Sequence, residues 1–173
     1  MAEHRLRELR FPNEVVNAVR DLIALHHRFH TYRLGWTDAA VRRYVRDAGP
    51  LLKDLNTLVG ADCTTRNAAK ARELGERMDE LEARIHELGE KEELSRLRPE
   101  LDGVQVMAYL GAEGGPTIGR AMDHLMDIRL EEGLIGEEEA YKRLDEWAKE
   151  QNVSVVGEKV APKKKREVRE GSD

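Results

Sequence analysis

The sequence is poor in aromatic residues, contains a single cysteine and has no long apolar run. Cys63 stands alone, so the chain forms no internal disulfide and offers no second cysteine for a zinc cluster. No apolar run approaches the roughly 18 residues that a membrane-spanning helix needs, and residues 1–10 lack the apolar stretch of a signal peptide. These absences argue against disulfide-rich and membrane-spanning classes and predict a soluble protein of the reducing cytoplasm.

Charge, by contrast, is abundant and unevenly distributed along the chain. Charged residues make up 36% of the 173 residues, and the net charge is -5. Residues 1–72 carry 13 basic and 8 acidic side chains, a net charge of +5, whereas residues 73–157 have a net charge of -12 and residues 158–173 one of +2. Because a polyanion responds to charge within roughly 10 Å, the front of the chain is the better candidate for an anionic partner.

Apolar residues recur at three- and four-residue spacing along nearly the whole chain, which is the pattern of amphipathic α-helices. Neither a credible strand nor an internal repeat accompanies it. Glycine and proline follow several apolar stripes and mark helix ends. The sequence therefore predicts an all-α fold, a multi-helix body with one long helix and a small helical tail domain, with helices near residues 13–32, 38–48, 50–59, 65–93, 104–110, 117–132 and 137–151.

The longest of these segments, 65–93, has a narrow apolar seam. Its apolar residues alternate at steps of three and four, a period of 3.5 that is typical of coiled coils, at Ala71, Leu74, Met78, Leu81, Ile85 and Leu88. Gly75 and Gly89 each weaken the helix by up to about 1 kcal/mol relative to alanine, so packing must hold it. The seam has two possible partners, another helix of the same chain or a second copy in a homodimer, and the sequence leaves both open.

Two groups of residues suggest chemistry without completing a site. His26 and His30 have the spacing to ligate a metal from one helix face. No third ligand lies at suitable local spacing, so the sequence predicts no metal site and favours packing at a helix end. Cys63 has no base at a recognisable spacing and is predicted to be a passive thiol, not a nucleophile.

For two segments of the sequence, a functional explanation and a purely structural or nonspecific one both stay open. The glycine-rich run 111–120 can direct backbone N–H groups and Arg120 at a phosphate, but it lacks the P-loop pattern GxxxxGK[ST] and fits a tight interhelical turn equally well. The basic run 162–166 resembles a nuclear import signal, although a nonspecific electrostatic arm explains it as well. It lies in the segment 152–173, which is charged and predicted to be disordered.

Basic side chains gather around the third predicted helix and the start of the long one. The planar guanidinium of arginine holds two phosphate oxygens at once. The turn 62–67 adds threonine hydroxyls and Arg66 at a helix amino terminus, where anions are stabilised. A solvated surface explains such residues in many helical proteins, and this alternative stays open beside the anion site.

Several stretches of the sequence resemble those of a known protein family. They are Leu9–Asn13, Leu25–His30, Trp36–Leu52 and Ala61–Asn67, with the later Leu101–Gly103 and Gly115–Gly119. In this order they closely resemble the C-terminal half of bacterial CCA-adding tRNA nucleotidyltransferases and poly(A) polymerases, in the version typical of actinobacteria, from about residue 2 to 150. The chain departs from the pattern at Gln105, where an acidic residue is more usual, and at Glu113–Gly114.

The resemblance implies a division of labour. In that family a nucleotidyltransferase head holds Mg²⁺ on paired carboxylates and selects CTP and ATP, while a helical body and tail hold tRNA. This sequence has neither a Gly-Ser motif followed by Asp-x-Asp nor the His-Asp pair of an HD phosphohydrolase. The resemblance implies an HD-like helical end at 1–35, an RNA-binding body at 36–98 and a helical tail domain at 99–151. Residues 152–173 lie beyond the resemblance, and their charged composition predicts a disordered tail.

Two hypotheses follow from these observations. In the first, the chain is the tRNA-binding portion of such an enzyme, inactive alone, without a cofactor of its own and dependent on a head domain. This hypothesis predicts no catalytic residue and no metal ligand, and RNA contacts from Arg42, Arg43, Arg46, Arg66, Asn67, Lys70, Arg72 and Arg120. In the second, the long-helix seam forms a homodimer, the chain is a structural adaptor and the arginines are merely solvated.

Overall fold

The computed structural model describes residues 1–31, 35–62, 67–94 and 97–162. All regular structure within them is helical, which confirms the all-α prediction, and no helix of this part is long and apolar enough to cross a membrane. The chain divides into two compact units, Met1–Leu97 and Arg98–Asp173. The α-helices are α1 Ala2–Glu8, α2 Asn13–His26, α3 Asp38–Ala48, α4 Leu52–Ala61, α5 Ala68–Glu92, α6 Gly103–Leu110, α7 Pro116–Glu132 and α8 Glu137–Glu150.

The helices begin and end close to the predicted residues. The first predicted helix is α2 followed by a 3₁₀-helix, His27–Thr31, and a second 3₁₀-helix, Gly49–Leu51, joins α3 to α4. α3 starts at an N-cap, where the Thr37 hydroxyl accepts a hydrogen bond from the Ala40 N–H at 3.2 Å. The sequence did not predict α1, because this short charged helix buries no residue and shows no apolar stripe.

The long helix α5 uses its seam inside the first unit. Leu81 and Leu88 are buried, and Leu74, Met78 and Ile85 pack partly buried against the same core cluster. That cluster also contains residues of α3 and α4. The seam therefore has its partner within the chain, and a homodimer built on it would have to open the core of the first unit.

The second unit packs α6, α7 and α8 around its own core. Asp102 and Gln105 form a capping box at the start of α6. The Gln105 amide also donates to Glu137 Oε1 at 2.8 Å and to the Val160 carbonyl at 3.3 Å. An ionised acidic residue at position 105 could donate neither hydrogen bond, so the departure from the family's pattern has a structural reason here.

Residues 152–162, after α8, form specific contacts with α6 and α8, while the disorder predicted for residues 152–173 stays a prediction. The Val156 and Gly157 N–H groups both donate to the Tyr109 carbonyl at 3.0 Å. The Lys159 ammonium lies 2.9 Å from Glu138 Oε2 and 4.8 Å from the Tyr141 ring centre. These contacts join residues distant in sequence, so local composition did not reveal them. Residues 163–173, with most of the basic run, lie outside the described residues.

The turn between α6 and α7 ends one helix and starts the next. Gly111 has a φ of 65°, and a Cβ atom there would collide with the Val156 side chain. Its N–H donates to the Ala108 carbonyl, and the next N–H, of Ala112, donates to Met107, which closes α6. Glycine at 111 is therefore explained by helix termination and by close contact with the C-terminal segment.

Candidate nucleic-acid interface

The amino end of α5 is an exposed, positively charged helix start. The Asn67 side-chain oxygen accepts hydrogen bonds from the Ala69 and Lys70 N–H groups at 3.0 and 3.3 Å. The first turn contains no acidic residue, and Lys70 and Arg72 are exposed. Neither of these two side chains forms an ion pair within the described ranges. We call Asn67, Lys70 and Arg72 the amino-end cluster.

The amino-end cluster has the chemistry of a phosphate-binding surface. The helix start carries a partial positive charge because its first N–H groups have no acceptor within the helix. The Asn67 side chain already accepts hydrogen bonds from two of these N–H groups. Its main role is therefore to cap the helix, and contact with an external anion is secondary. The charges of Lys70 and Arg72 add to the helix dipole and are available to an external anion. Arg66, the residue before Asn67, and Cys63 lie outside the described residues.

Arg42 does not fit the predicted phosphate contact. Its side chain is only 5% exposed and faces Glu92, which is 13% exposed. The guanidinium donates from Nε to Glu92 Oε2 at 2.9 Å and from Nη2 to Oε1 at 2.8 Å. A buried two-hydrogen-bond pair leaves the guanidinium no free face for a phosphate. We therefore correct this prediction and assign Arg42 a structural role.

The remaining arginines of α3 lie far from the amino-end cluster. Arg43 is half-buried and has an interaction partner. Arg46 is exposed and lines a cleft of about 880 Å³ together with Glu90 and Glu93. At 1.5 Å per helical residue, this cleft is roughly 30 Å along α5 from Lys70. The structure thus splits the predicted basic cluster into two parts, and two carboxylates share the cleft with Arg46.

Arg120 belongs to the second unit, near the start of α7. Its side chain is exposed and forms no ion pair with the described residues. The helix begins at Pro116 after Gly114 and Gly115, which have φ values of 120° and 100°. This geometry accounts for the glycines as a turn into a helix, and the phosphate contact of Arg120 stays a prediction.

The histidines at the end of α2 have packing roles. His26 Nδ1 lies 2.7 Å from the Ile23 carbonyl, and the His26 and His27 rings are 3.8 Å apart between centres. His30 packs edge-on against Phe29. Among the residues that the structure describes, no group of three or more His, Cys, Asp or Glu residues has the arrangement of a metal site.

These features describe a class: an all-α protein of two units whose first unit has a cationic helix start suited to a polyanion. Comparison with known proteins adds a more specific relationship. The CC-adding tRNA nucleotidyltransferase of Thermus thermophilus is 36% identical over 139 residues, which are 80% of this chain and 30% of that protein. The A-adding tRNA nucleotidyltransferase of Deinococcus radiodurans is 31% identical over 146 residues, which are 84% of this chain and 32% of that protein.

The similarity supports the tRNA nucleotidyltransferase family that the sequence resembles. The chain spans about a third of the length of these two curated relatives. No protein-family model matches the chain, and no solved structure matches it significantly. The relatives' activity therefore belongs to proteins about three times longer than the region they share with this chain.

Proposed function

We propose that this chain is the tRNA-binding, C-terminal portion of a CCA-adding tRNA nucleotidyltransferase of the actinobacterial type. In this proposal the chain holds tRNA for a nucleotidyltransferase head, which binds Mg²⁺, CTP and ATP and performs catalysis. The observation that carries the proposal is the similarity over four fifths of the chain to part of two tRNA nucleotidyltransferases. The chain alone adds no nucleotide.

The names of the two relatives support a role in holding RNA and not in selecting the nucleotide. One relative is named for adding CC and the other for adding A, yet each is similar to about four fifths of this chain, so most of the matched segment is common to both. A segment shared by enzymes that add different nucleotides is a poor candidate for the element that distinguishes them. What such enzymes have in common is the tRNA, and the shared segment is proposed to bind it.

The amino-end cluster is the proposed phosphate-binding surface of the first unit. Lys70 and Arg72 are exposed without ion pairs in the described part of the chain, and the α5 start adds its dipole. Contacts of this kind hold the backbone of RNA without reading its sequence. Arg66 and Arg120 are proposed as additional contacts, while Arg42 is not.

Binding of a fluorescent tRNA transcript to the purified chain tests the proposal. For about three phosphate contacts, the affinity should fall at least roughly tenfold between 50 and 200 mM salt. Absence of binding at 50 mM salt, or binding that is indifferent to salt, would contradict the tRNA-binding role. Incubation with labelled CTP and ATP should leave the tRNA unlabelled, and incorporation by the chain alone would overturn the assignment of catalysis to another domain.

A further inference from the structure

A small cavity lies in the first unit beside the amino-end cluster. Its volume is about 180 Å³, well below the roughly 300 Å³ at which pockets for drug-sized ligands begin. Phe29, Leu74 and Met78 form apolar parts of its wall. The cavity is thus large enough for one flat ring system and too small for a whole nucleotide.

Two glycines leave this cavity open. Gly60 of α4 and Gly75 of α5 both line it, and a Cβ atom built on either would meet nothing within 4 Å. Gly75 is within α5, where alanine would be more favourable for the helix by up to about 1 kcal/mol. Beside its seam, α5 therefore contains a residue that weakens the helix and leaves open space.

The polar groups of the cavity disfavour a phosphate and suit the edge of a nucleobase. Asp62 contributes a carboxylate, which repels phosphate but accepts hydrogen bonds from the amino and imino groups of bases. Burial, together with the nearby Arg77 guanidinium, lowers the pKa of His30, so the imidazole is mostly neutral at pH 7. A neutral imidazole both donates and accepts hydrogen bonds and offers a ring on which a base can stack.

The cavity is next to the proposed phosphate contacts along the same helix. Ala71 lines the cavity, and it lies between Lys70 and Arg72 in sequence. A nucleotide whose phosphate is held by these cations can direct its base toward the cavity. Bases that are paired in a duplex are not available for such insertion, whereas unpaired bases at ends, loops and bulges are.

We infer that the cavity between the 3₁₀-helix His27–Thr31, α4 and α5 binds one unpaired nucleobase of the RNA, with Asp62 and His30 at the base edge and Leu74 and Met78 on its apolar side. This inference rests on the proposed function, because an RNA must first be held at the amino-end cluster. It adds a base contact to a surface that otherwise binds only the backbone.

Two RNA hairpins of the same stem test the inference, one blunt and one with four unpaired nucleotides at its 3′ end. In both, a polyethylene-glycol linker replaces the nucleotide loop, so that the blunt hairpin has no unpaired base. Fluorescence anisotropy gives the affinity of the full chain for each hairpin. One inserted base should make the chain bind the overhang hairpin roughly tenfold more tightly than the blunt one. The ratio of the two affinities is the readout. A third hairpin with four abasic nucleotides at its 3′ end measures how much of this ratio comes from the added phosphates alone.

Gly75→Leu is the test variant and Gly89→Leu its matched control. Both glycines lie in α5 with open space where a Cβ would be, but Gly89 borders the larger cleft at the other end of the helix. Gly75→Leu should reduce the ratio to about one and leave the blunt-hairpin affinity unchanged, while Gly89→Leu should keep the wild-type ratio. Thermal melting followed by circular dichroism checks that both variants fold.

Asp62→Ala provides a second variant that leaves the core intact, since Asp62 is exposed. It should lower the ratio several-fold. Equal binding of both hairpins by the wild-type chain, or a ratio unchanged in Gly75→Leu and Asp62→Ala, would overturn the base site while leaving RNA binding in place. Failure of the wild-type chain to bind either hairpin would overturn the proposed function and, with it, the base site.

Discussion

The two ends of α5 have similar cations on them or beside them, and these cations differ in exposure and in partners. At the amino end, Lys70 and Arg72 are exposed and form no ion pair within the described residues. At the carboxyl end, Arg42 is buried on Glu92, and Lys91 lies 2.8 Å from Glu87. The same residue types therefore supply unpaired surface charge at one end of the helix, and one buried and one exposed ion pair at the other.

This difference shows that the net charge of a sequence segment counts its charged side chains but does not tell which of them are free to bind an external anion. Residues 1–72 have the positive excess that first indicated an anionic partner. Part of that excess is neutralised by an acidic residue of the following segment, as Arg42 with Glu92 demonstrates. The exposed cations of residues 1–72 that form no ion pair within the described residues are Arg10, Arg46, Lys53, Lys70 and Arg72. Of these, Lys70 and Arg72 lie in the first turns of α5, where the helix dipole adds to their charge.

The largest effect on stability is predicted for a variant that breaks the ion pair between Arg42 and Glu92 at the carboxyl end of α5. Arg42→Ala leaves the nearly buried Glu92 carboxylate without its partner and should lower the free energy of unfolding by about 3 kcal/mol. Urea denaturation measures this change. Arg46→Ala, an exposed neighbour, should change it by less than about 0.5 kcal/mol. An Arg42→Ala protein that is as stable as wild type but binds tRNA more weakly would show that Arg42 contacts RNA after all.

The next effect separates capping from RNA contact at the amino end. Asn67→Ala removes the acceptor for two N–H groups of α5 and should cost about 1 kcal/mol of unfolding free energy. Asn67→Asp keeps an acceptor there but adds a negative charge beside Lys70. It should retain wild-type stability by thermal melting and weaken tRNA binding. Unchanged tRNA affinity in Asn67→Asp would place the RNA away from this helix start.

The two ends should respond alike to alanine in place of glycine. Gly75→Ala and Gly89→Ala each replace a helical glycine that has open space for a Cβ, and each should raise the free energy of unfolding by roughly 0.5 kcal/mol. Urea denaturation provides the measurement. A destabilised Gly75→Ala alongside a stabilised Gly89→Ala would show that the cavity beside Gly75 is filled by the protein itself.

The smallest predicted effect is a pH dependence of the free energy of unfolding, caused by His30 in the wall of the small cavity. The pKa of His30 is lowered by burial and by Arg77, an effect that Asp62 partly opposes and that His26 and His27 reinforce. The unfolded chain therefore binds a proton more readily than the folded chain below about pH 6.5. Stability should fall between pH 7 and 5, and less so in His30→Gln. Equal pH profiles of the two proteins in urea denaturation would contradict this.

Local pattern was sufficient to predict most helices of this fold. The 3.5-residue period of α5 and the glycines that end α6 and α7 are features of short segments, and the structure places helix ends within a few residues of them. The sequence did not predict α1, because its seven residues bury no side chain. The contacts of residues 152–162 were not predicted either, because they are made with Tyr109 and Gln105, more than forty residues earlier.

The candidate surface was only partly predictable from sequence for the same reason. Exposure of Lys70 and Arg72 follows from their position outside the seam of α5. The partner of Arg42 lies 50 residues away in sequence, and no local pattern identifies it. The cavity also joins residues from the 3₁₀-helix His27–Thr31, α4 and α5, so it exists only in the folded chain.

The salt dependence of tRNA binding shows whether the amino end of α5 holds the phosphates of the tRNA. We compare Lys70→Ala/Arg72→Ala with Arg84→Ala/Lys91→Ala, two double variants that remove the same charge from opposite parts of α5. If the amino end holds phosphate, the slope of log affinity against log salt should decrease by about 2 in the first variant and stay near wild type in the second. Equal decreases in both variants, or a larger one in the second, would contradict the account.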